Sequence, residues 1–133
     1  MIKVLTKTLA IVFAALALSA CAVTSESIVE EGGAKLSGAE LQQLYGNGLN
    51  VAWTSANGGS GTGEYTADGT AKIAFGSTNW VGTWRVDNDA LCTSYPERGN
   101  GEVRCFATYK RADGGYSWFT PEGKYGGDMT IVQ

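Results

Sequence analysis

Two hydrophobic patterns divide the chain. From Leu9 to Leu18 ten apolar residues follow one another with no polar position to make a solvent face. From residue 48 onward the apolar residues come in short alternating runs rich in Val, Ile, Thr, Tyr and Trp. These runs predict strands over Leu49–Thr54, Thr62–Thr66, Thr70–Phe75, Trp80–Val86, Ala90–Tyr95, Glu102–Tyr109, Tyr116–Thr120 and Lys124–Val132. Turn residues separate them: Asn57-Gly58-Gly59-Ser60-Gly61, Asp68-Gly69, Gly76-Ser77, Asp87-Asn88-Asp89, Arg98-Gly99, Asp113-Gly114-Gly115 and Pro121-Glu122-Gly123.

Turns at such even spacing describe an antiparallel meander, and no crossover helix is available for parallel pairing. The fold class expected is therefore mainly β, an up-and-down meander of about eight strands forming a small barrel or half-barrel. Trp80, Gly82, Trp84 and Val86 share one face of their strand, and Val81, Thr83 and Arg85 the other.

One short helix precedes the strands. Ser37 and Glu40 form a capping box, and Leu36 and Leu41 occupy the staple positions around it. Leu41, Leu44 and Tyr45 then share a face, and Gly46 supplies the stop. Two turns of helix do not persist alone. The stripe predicts that the helix caps the end of a barrel or sheet. Ala22 to Lys35, polar and acidic with a Gly pair, reads as a flexible tether of roughly 20 Å r.m.s. span. The domain boundaries expected are 1–20 for a leader, 21–35 for a modified cysteine with its tether, and 36–133 for the barrel.

The leader is the apolar run with Lys3 and Lys7 before it. Its length is about half the ~20 residues that span a bilayer, which marks an export signal instead of a membrane helix. Leu18-Ser19-Ala20-Cys21 resembles the bacterial lipobox, in which the cysteine thiol accepts a diacylglyceryl group before the signal is removed. Leu18, Ser19 and Ala20 are then the signal-peptidase recognition residues and Cys21 the lipidation site. Two acyl chains give a lasting membrane anchor where one gives only marginal binding. The competing interpretation is ordinary secretory cleavage near Ala20 with an incidental cysteine. In Gram-negative lipoproteins an aspartate after the modified cysteine favours inner-membrane retention. By that resemblance Ala22 directs the expectation to the outer membrane, facing the periplasm.

Export leaves Cys92 and Cys105 in an oxidising compartment, where a disulfide is expected. A hairpin centred between Arg98 and Gly99 sets Tyr95 against Glu102 and Cys92 directly against Cys105, at the Cα separation of ~4.5–5.5 Å that a disulfide tolerates. A metal or redox pair fits less well, since there is neither a Cys-x-x-Cys nor a histidine. Pairing Val86 with Ala90 across a three-residue turn places Trp84 opposite Cys92. The disulfide is then expected against the Trp84 ring.

Taken together, Leu36-Ser37-Gly38-Ala39-Glu40-Leu41, Asp68-Gly69-Thr70, Gly82-Thr83-Trp84-Arg85-Val86, Leu91-Cys92 and Cys105 resemble the bacterial family called "domain of unknown function 995" across roughly residues 36 to 131. The resemblance implies a small exported protein, often with a lipobox signal. It carries no established activity and no catalytic residues.

Charge and chemistry narrow the function. Without Lys3 and Lys7, residues 21–133 hold eight Lys plus Arg against thirteen Asp plus Glu, a net charge of −5. No nucleic-acid partner is expected for so acidic a domain without a basic cluster. The absence of histidine removes Ser-His-Asp and Cys-His catalysis and Cys/His zinc sites. Gly58-Gly59-Ser60-Gly61-Thr62-Gly63 lacks the lysine and following helix of a phosphate loop and reads as a hairpin loop. Asp87-Asn88-Asp89 lacks the further ligands of a calcium loop and reads as a turn. No catalytic residue, metal or cofactor is expected. A carboxylate pair such as Glu64 and Glu122 at a barrel mouth is the one catalytic route left open.

The aromatic residues are many for so small a domain. A narrow barrel fills its interior with side chains, so core claims most of them. Two or three remain for a recognition surface, expected at Tyr116, Trp118 and Phe119, where alternation points Tyr116 and Trp118 one way and Phe119 the other. Three functions follow. The first is a non-catalytic, membrane-anchored envelope protein with a periplasmic protein partner. The second is an inhibitor of a lysozyme or protease. Against it, Ser60-Gly61 is followed by Tyr65 one residue later than in the S-G-x-x-Y of membrane-bound lysozyme inhibitors. The third is a small-ligand carrier or carboxylate-based hydrolase, and a hollow interior is what distinguishes the carrier.

Overall fold

The computed structural model describes residues 22–132. The expected export signal, the expected recognition residues Leu18, Ser19 and Ala20, and the expected lipidation site Cys21 lie outside the described residues. Among the described residues, no helix is long and apolar enough to cross a membrane.

The elements run α1 (Ser25–Glu30), β1 (Ala34–Lys35), α2 (Gly38–Tyr45), β2 (Leu49–Ser55), β3 (Ser60–Tyr65), β4 (Thr70–Phe75), β5 (Thr78–Asp87), β6 (Ala90–Ser94), β7 (Arg104–Lys110), β8 (Tyr116–Phe119) and β9 (Tyr125–Val132). Each of β2 to β9 pairs antiparallel with the next, and β9 returns to β2, with Trp53 opposite Met129. The sheet therefore closes into an eight-stranded barrel, and closure removes the free edges that an open meander exposes. All eight expected strands are present. β3 begins two residues earlier than the glycine-rich composition suggested, because Gly61 and Gly63 lie inside the strand.

The expected tether is structured over most of its length. Thr24 and Ser27 make reciprocal side chain–backbone hydrogen bonds of 3.0 Å that start α1, and Ile28 is buried. Gly32, with φ +97°, then reverses the chain so that Ala34 pairs with Lys110 and Lys35 with Tyr109. β1 thereby occupies the side of β7 that β6, which pairs only through Leu91 to Thr93, leaves open. The Gly pair that suggested flexibility is a helix stop.

α2 forms as its capping box requires. Ser37 Oγ accepts from the Glu40 N–H at 3.2 Å, and Glu40 Oε1 accepts from the Ser37 N–H at 3.0 Å. The Gly38 N–H donates to Asp89 Oδ1 at 2.7 Å, which fixes the helix start on the β5–β6 turn. Asp87-Asn88-Asp89 is thus a turn that anchors the cap. Leu41 and Tyr45 are fully buried and close one end of the barrel. Ser37→Ala removes one cap and is expected to cost about 1 kcal/mol, read as a lower urea midpoint at unchanged slope. A cost below a few tenths would show that the docked Gly38 holds the helix without its cap.

One register differs from expectation. Asp87, not Val86, pairs with Ala90, because Asn88 adopts φ +52° and permits a two-residue turn. A one-residue slip exchanges the faces of a strand. Trp84 therefore opposes Thr93, and Arg85 opposes Cys92. The Cys92–Cys105 disulfide is present, in the expected register, but it lies on the outer face of the wall and not against the Trp84 ring. It joins the barrel's shortest ladder, three residue pairs long. Among the described residues the core is one cluster with Leu36, Leu41, Tyr45, Leu49, Val51 and Met129 among its members.

Candidate functional site

Alternation around the closed sheet sends Val51, Trp53, Ile73, Phe75, Trp80, Trp84, Leu91, Phe106, Trp118 and Met129 inward. These side chains do not fill the space they enclose. A cavity of about 770 Å³ runs up the barrel axis from Tyr45 toward the loops at Asn57–Ser60, Gly76–Thr78 and Tyr95–Arg98. It falls within the ~300–1,000 Å³ of small-molecule sites.

The hollow has a cause in the wall. Inward positions opposite the largest rings are glycines: Gly61 faces Trp53 and Gly127 faces Trp118. A Cβ at Gly61 would stand 2.6 Å from the Trp53 ring, and one at Gly127 would stand 2.5 Å from the Trp118 ring. Both indoles therefore pack directly against neighbouring strands, and the Trp53 Nε1–H donates to the Thr62 carbonyl at 3.0 Å to hold its ring there. Rings laid along a wall leave the axis empty. Whether the interior is hollow was open from the aromatic count alone, and the Gly61-x-Gly63 spacing and the Gly82 and Gly127 positions are the signal that it is.

The cavity is graded along its length. At the closed end Tyr45 meets Tyr65 edge-on at 4.8 Å and Trp84 at 5.8 Å between centroids, and its hydroxyl approaches Met129 Sδ at 3.6 Å. Toward the open end, ring contacts run Trp53–Phe75 at 6.1 Å, Phe75–Trp80 at 5.0 Å and Trp80–Tyr95 at 5.8 Å. Among the described residues, no Asp or Glu lines the cavity. Burial pushes the Tyr45 and Tyr65 phenols well above their ordinary range and raises Tyr95 to about 12. All three stay neutral at physiological pH.

These shifts predict an alkaline limit to stability. The unfolded phenol titrates near 10. A folded value raised above it gives a contribution that is complete below pH 10 and lost as pH climbs toward 12. Tyrosinate formation at Tyr45, Tyr65 and Tyr95 should therefore accompany loss of the circular dichroism signal above pH 10, with the Tyr125 phenol also raised, to about 12. Six phenols titrating normally in a folded barrel would contradict the burial.

The residues expected to form an exposed aromatic surface do not do so. Tyr116 is buried inside the barrel, Trp118 is half-buried in the cavity wall, and Phe119 is buried outside it between Tyr109 and Tyr125, at 5.2 and 5.9 Å. Alternation was read correctly, but Tyr109 and Tyr125 cover the outer face. Only Trp118 reaches the cavity. Glu64 lies on the outer face of β3 between Asn50 and Lys72, and exposed Glu122 sits in the β8–β9 loop. The two carboxylates do not share the cavity. Among the described residues, no group of three His, Cys, Asp or Glu is arranged to hold a metal.

The mouth carries the charge. Arg98, half-buried, sets its guanidinium 5.9 Å from the Trp80 ring centroid and lines the cavity. Arg104 lies over Phe106 at 5.5 Å and approaches Glu122 at 3.9 Å. The Glu122 carboxyl is held below its usual range by its own backbone N–H first, then by the Thr120 hydroxyl, with Arg104 contributing less.

A closed antiparallel barrel, plugged at one end and hollow toward the other, is an architecture that holds a single small molecule. No family model, curated protein or solved structure matches the chain. Its resemblance to the uncharacterised family therefore rests on the motifs alone, and its function has to be read from the barrel itself.

Proposed function

We propose that the chain is a lipid-anchored protein of the bacterial envelope, attached through Cys21, that binds a small and largely apolar molecule inside its barrel without transforming it. The observation that carries this reading is the open cavity of about 770 Å³ lined by rings and free of carboxylates. A cavity that stays hollow gives up the dispersion contacts of a filled core, a loss that a ligand can recover. The anchoring half of the proposal rests on Leu18-Ser19-Ala20-Cys21 and the short apolar run before it. Anchoring would place the mouth within reach of a membrane, where apolar molecules concentrate.

A neutral dye that fluoresces in apolar surroundings, N-phenyl-naphthylamine, tests the cavity. Saturable, one-to-one enhancement is expected with the chain from Ala22 to Gln133, weakened about tenfold by Trp118→Ala, the equivalent of one aromatic contact. Absence of saturable enhancement would refute the carrier reading. Mass spectrometry of the native protein tests the anchor: a diacylglyceryl thioether on Cys21 is expected, and an unmodified thiol there would refute it.

A further inference from the structure

We propose that the bound molecule is an anionic amphiphile, its apolar body among the cavity's rings and its acidic headgroup at the mouth on Arg98, with Arg104 beside it. This assignment rests on the carrier reading and adds the ligand's charge to it.

Four observations converge. The first is the state of Arg98. It lines the cavity and stacks on Trp80, yet among the described residues its guanidinium makes no ion pair and no side-chain hydrogen bond. A guanidinium carries five N–H donors in a planar fork. Stacking on a ring occupies its face and leaves its edges available, the geometry in which arginine grips a carboxylate or phosphate with two parallel bonds. The second is Arg104. Its one carboxylate neighbour, Glu122, stands at 3.9 Å, beyond hydrogen-bond length, and is 65% exposed and engaged mainly with its own loop. Glu102, the other acid near Arg98, is exposed. The two arginines are near enough to oppose one another: burial first, and then Arg104, disfavour the charged form of Arg98. An anion between them would relieve both effects.

Third, among the described residues the one charged side chain lining the cavity is a cation, Arg98, in a domain whose net charge without the leader is −5 and on a loop where Glu97 and Glu102 flank it. That cation is placed where a partly desolvated charge interacts most strongly with a ligand. Fourth, the chamber beneath is neutral throughout. The buried phenols of Tyr45, Tyr65 and Tyr95 remain protonated, so nothing inside repels an anion's tail and nothing there draws in a cation. A neutral hydrocarbon would fill the chamber but leave the Arg98 donors unused. A cationic amphiphile would meet like charge at the entrance.

The mouth is also held in shape. Arg98 sits in the β6–β7 loop, where its N–H donates to the Tyr95 carbonyl at 3.0 Å, and Ser94 Oγ donates to the Gly101 carbonyl at 2.6 Å. The Cys92–Cys105 bond closes the base of the same loop. The position of the guanidinium over the cavity is thus set before any ligand arrives.

The experiment is displacement of N-phenyl-naphthylamine from the Ala22–Gln133 chain. The competitors are dodecanoate, dodecyl phosphate, dodecanol and dodecyltrimethylammonium, each below the concentration at which it forms micelles. At least one of the two anions should displace the dye at tenfold or more lower concentration than dodecanol, with the cation weakest. Which anion does so distinguishes a fatty-acid headgroup from a phospholipid-type one. Arg98→Gln should abolish the preference, read as the ratio of anion to dodecanol displacement within that same variant, and Arg104→Gln should reduce that ratio in part. Equal displacement by anions and dodecanol would overturn the headgroup assignment, as would a preference that survives the double substitution. In both cases dye binding persists, so the carrier reading stands. Failure of the dye itself to bind would remove the carrier reading and this inference together.

Discussion

Tyr45→Ala is expected to destabilise the protein by about 4 kcal/mol, a fall in Tm of roughly 15 °C. Tyr45 is 1% exposed, fills the closed end of the barrel, and touches Tyr65, Trp84 and Met129 at once. Truncation removes the ring's transfer energy and also leaves a void that rigid strands cannot collapse into. Because the cavity begins at this ring, the void should join it and turn a closed-end pocket into a channel. Tyr45→Phe keeps the ring and loses only a weak hydroxyl–sulfur contact, so it should cost under about 1 kcal/mol. Urea unfolding of both variants at unchanged slope is the measurement. Comparable losses from the two would mean that the hydroxyl, and not the packed ring, holds α2 in place.

The second large effect concerns the disulfide. Replacing both Cys92 and Cys105 by serine should cost about 3 kcal/mol, because the bridge closes a loop of 13 residues in the unfolded chain. Here the native state adds to that loop-closure term. The β6–β7 ladder has three residue pairs, and with the bridge gone it is the seam most ready to open. Hydrogen exchange should therefore accelerate first at Leu91–Thr93 and Arg104–Phe106, before the rest of the barrel. Exchange rising uniformly around the barrel would show that the bridge acts only on the unfolded state. Because Arg98 lies in the loop above this seam, anion preference should weaken in the reduced protein before neutral-dye binding does.

Local patterns reported local structure well. The Ser37–Glu40 capping box starts α2, the eight alternating runs are the eight barrel strands, and the hairpin arithmetic around Arg98-Gly99 set Cys92 opposite Cys105. Each depends on residues a few positions apart. Longer-range outcomes turned on single residues. Asn88 accepts a left-handed conformation that shortens the β5–β6 turn, and that single step moved the disulfide to the other face of the wall. The Thr24–Ser27 cap is masked in sequence by the Gly pair after it, which suggests flexibility but ends the helix.

The sequence by itself determined the strand and helix inventory, the antiparallel meander, the capped helix and the cysteine pairing, because hydrophobic period, capping chemistry and hairpin register act over short separations. Tertiary structure alone decided that the sheet closes by pairing β9 with β2 and that the core is hollow. The hollow arises because Trp53 and Trp118 meet glycines on neighbouring strands and lie against the wall, a relation that exists only once those strands are in register. The same closure carries Arg98 from a loop of unremarkable composition to the rim of an aromatic chamber. Separations along the chain are silent about distances across a barrel, because register and closure, not proximity in sequence, determine which residues face each other there.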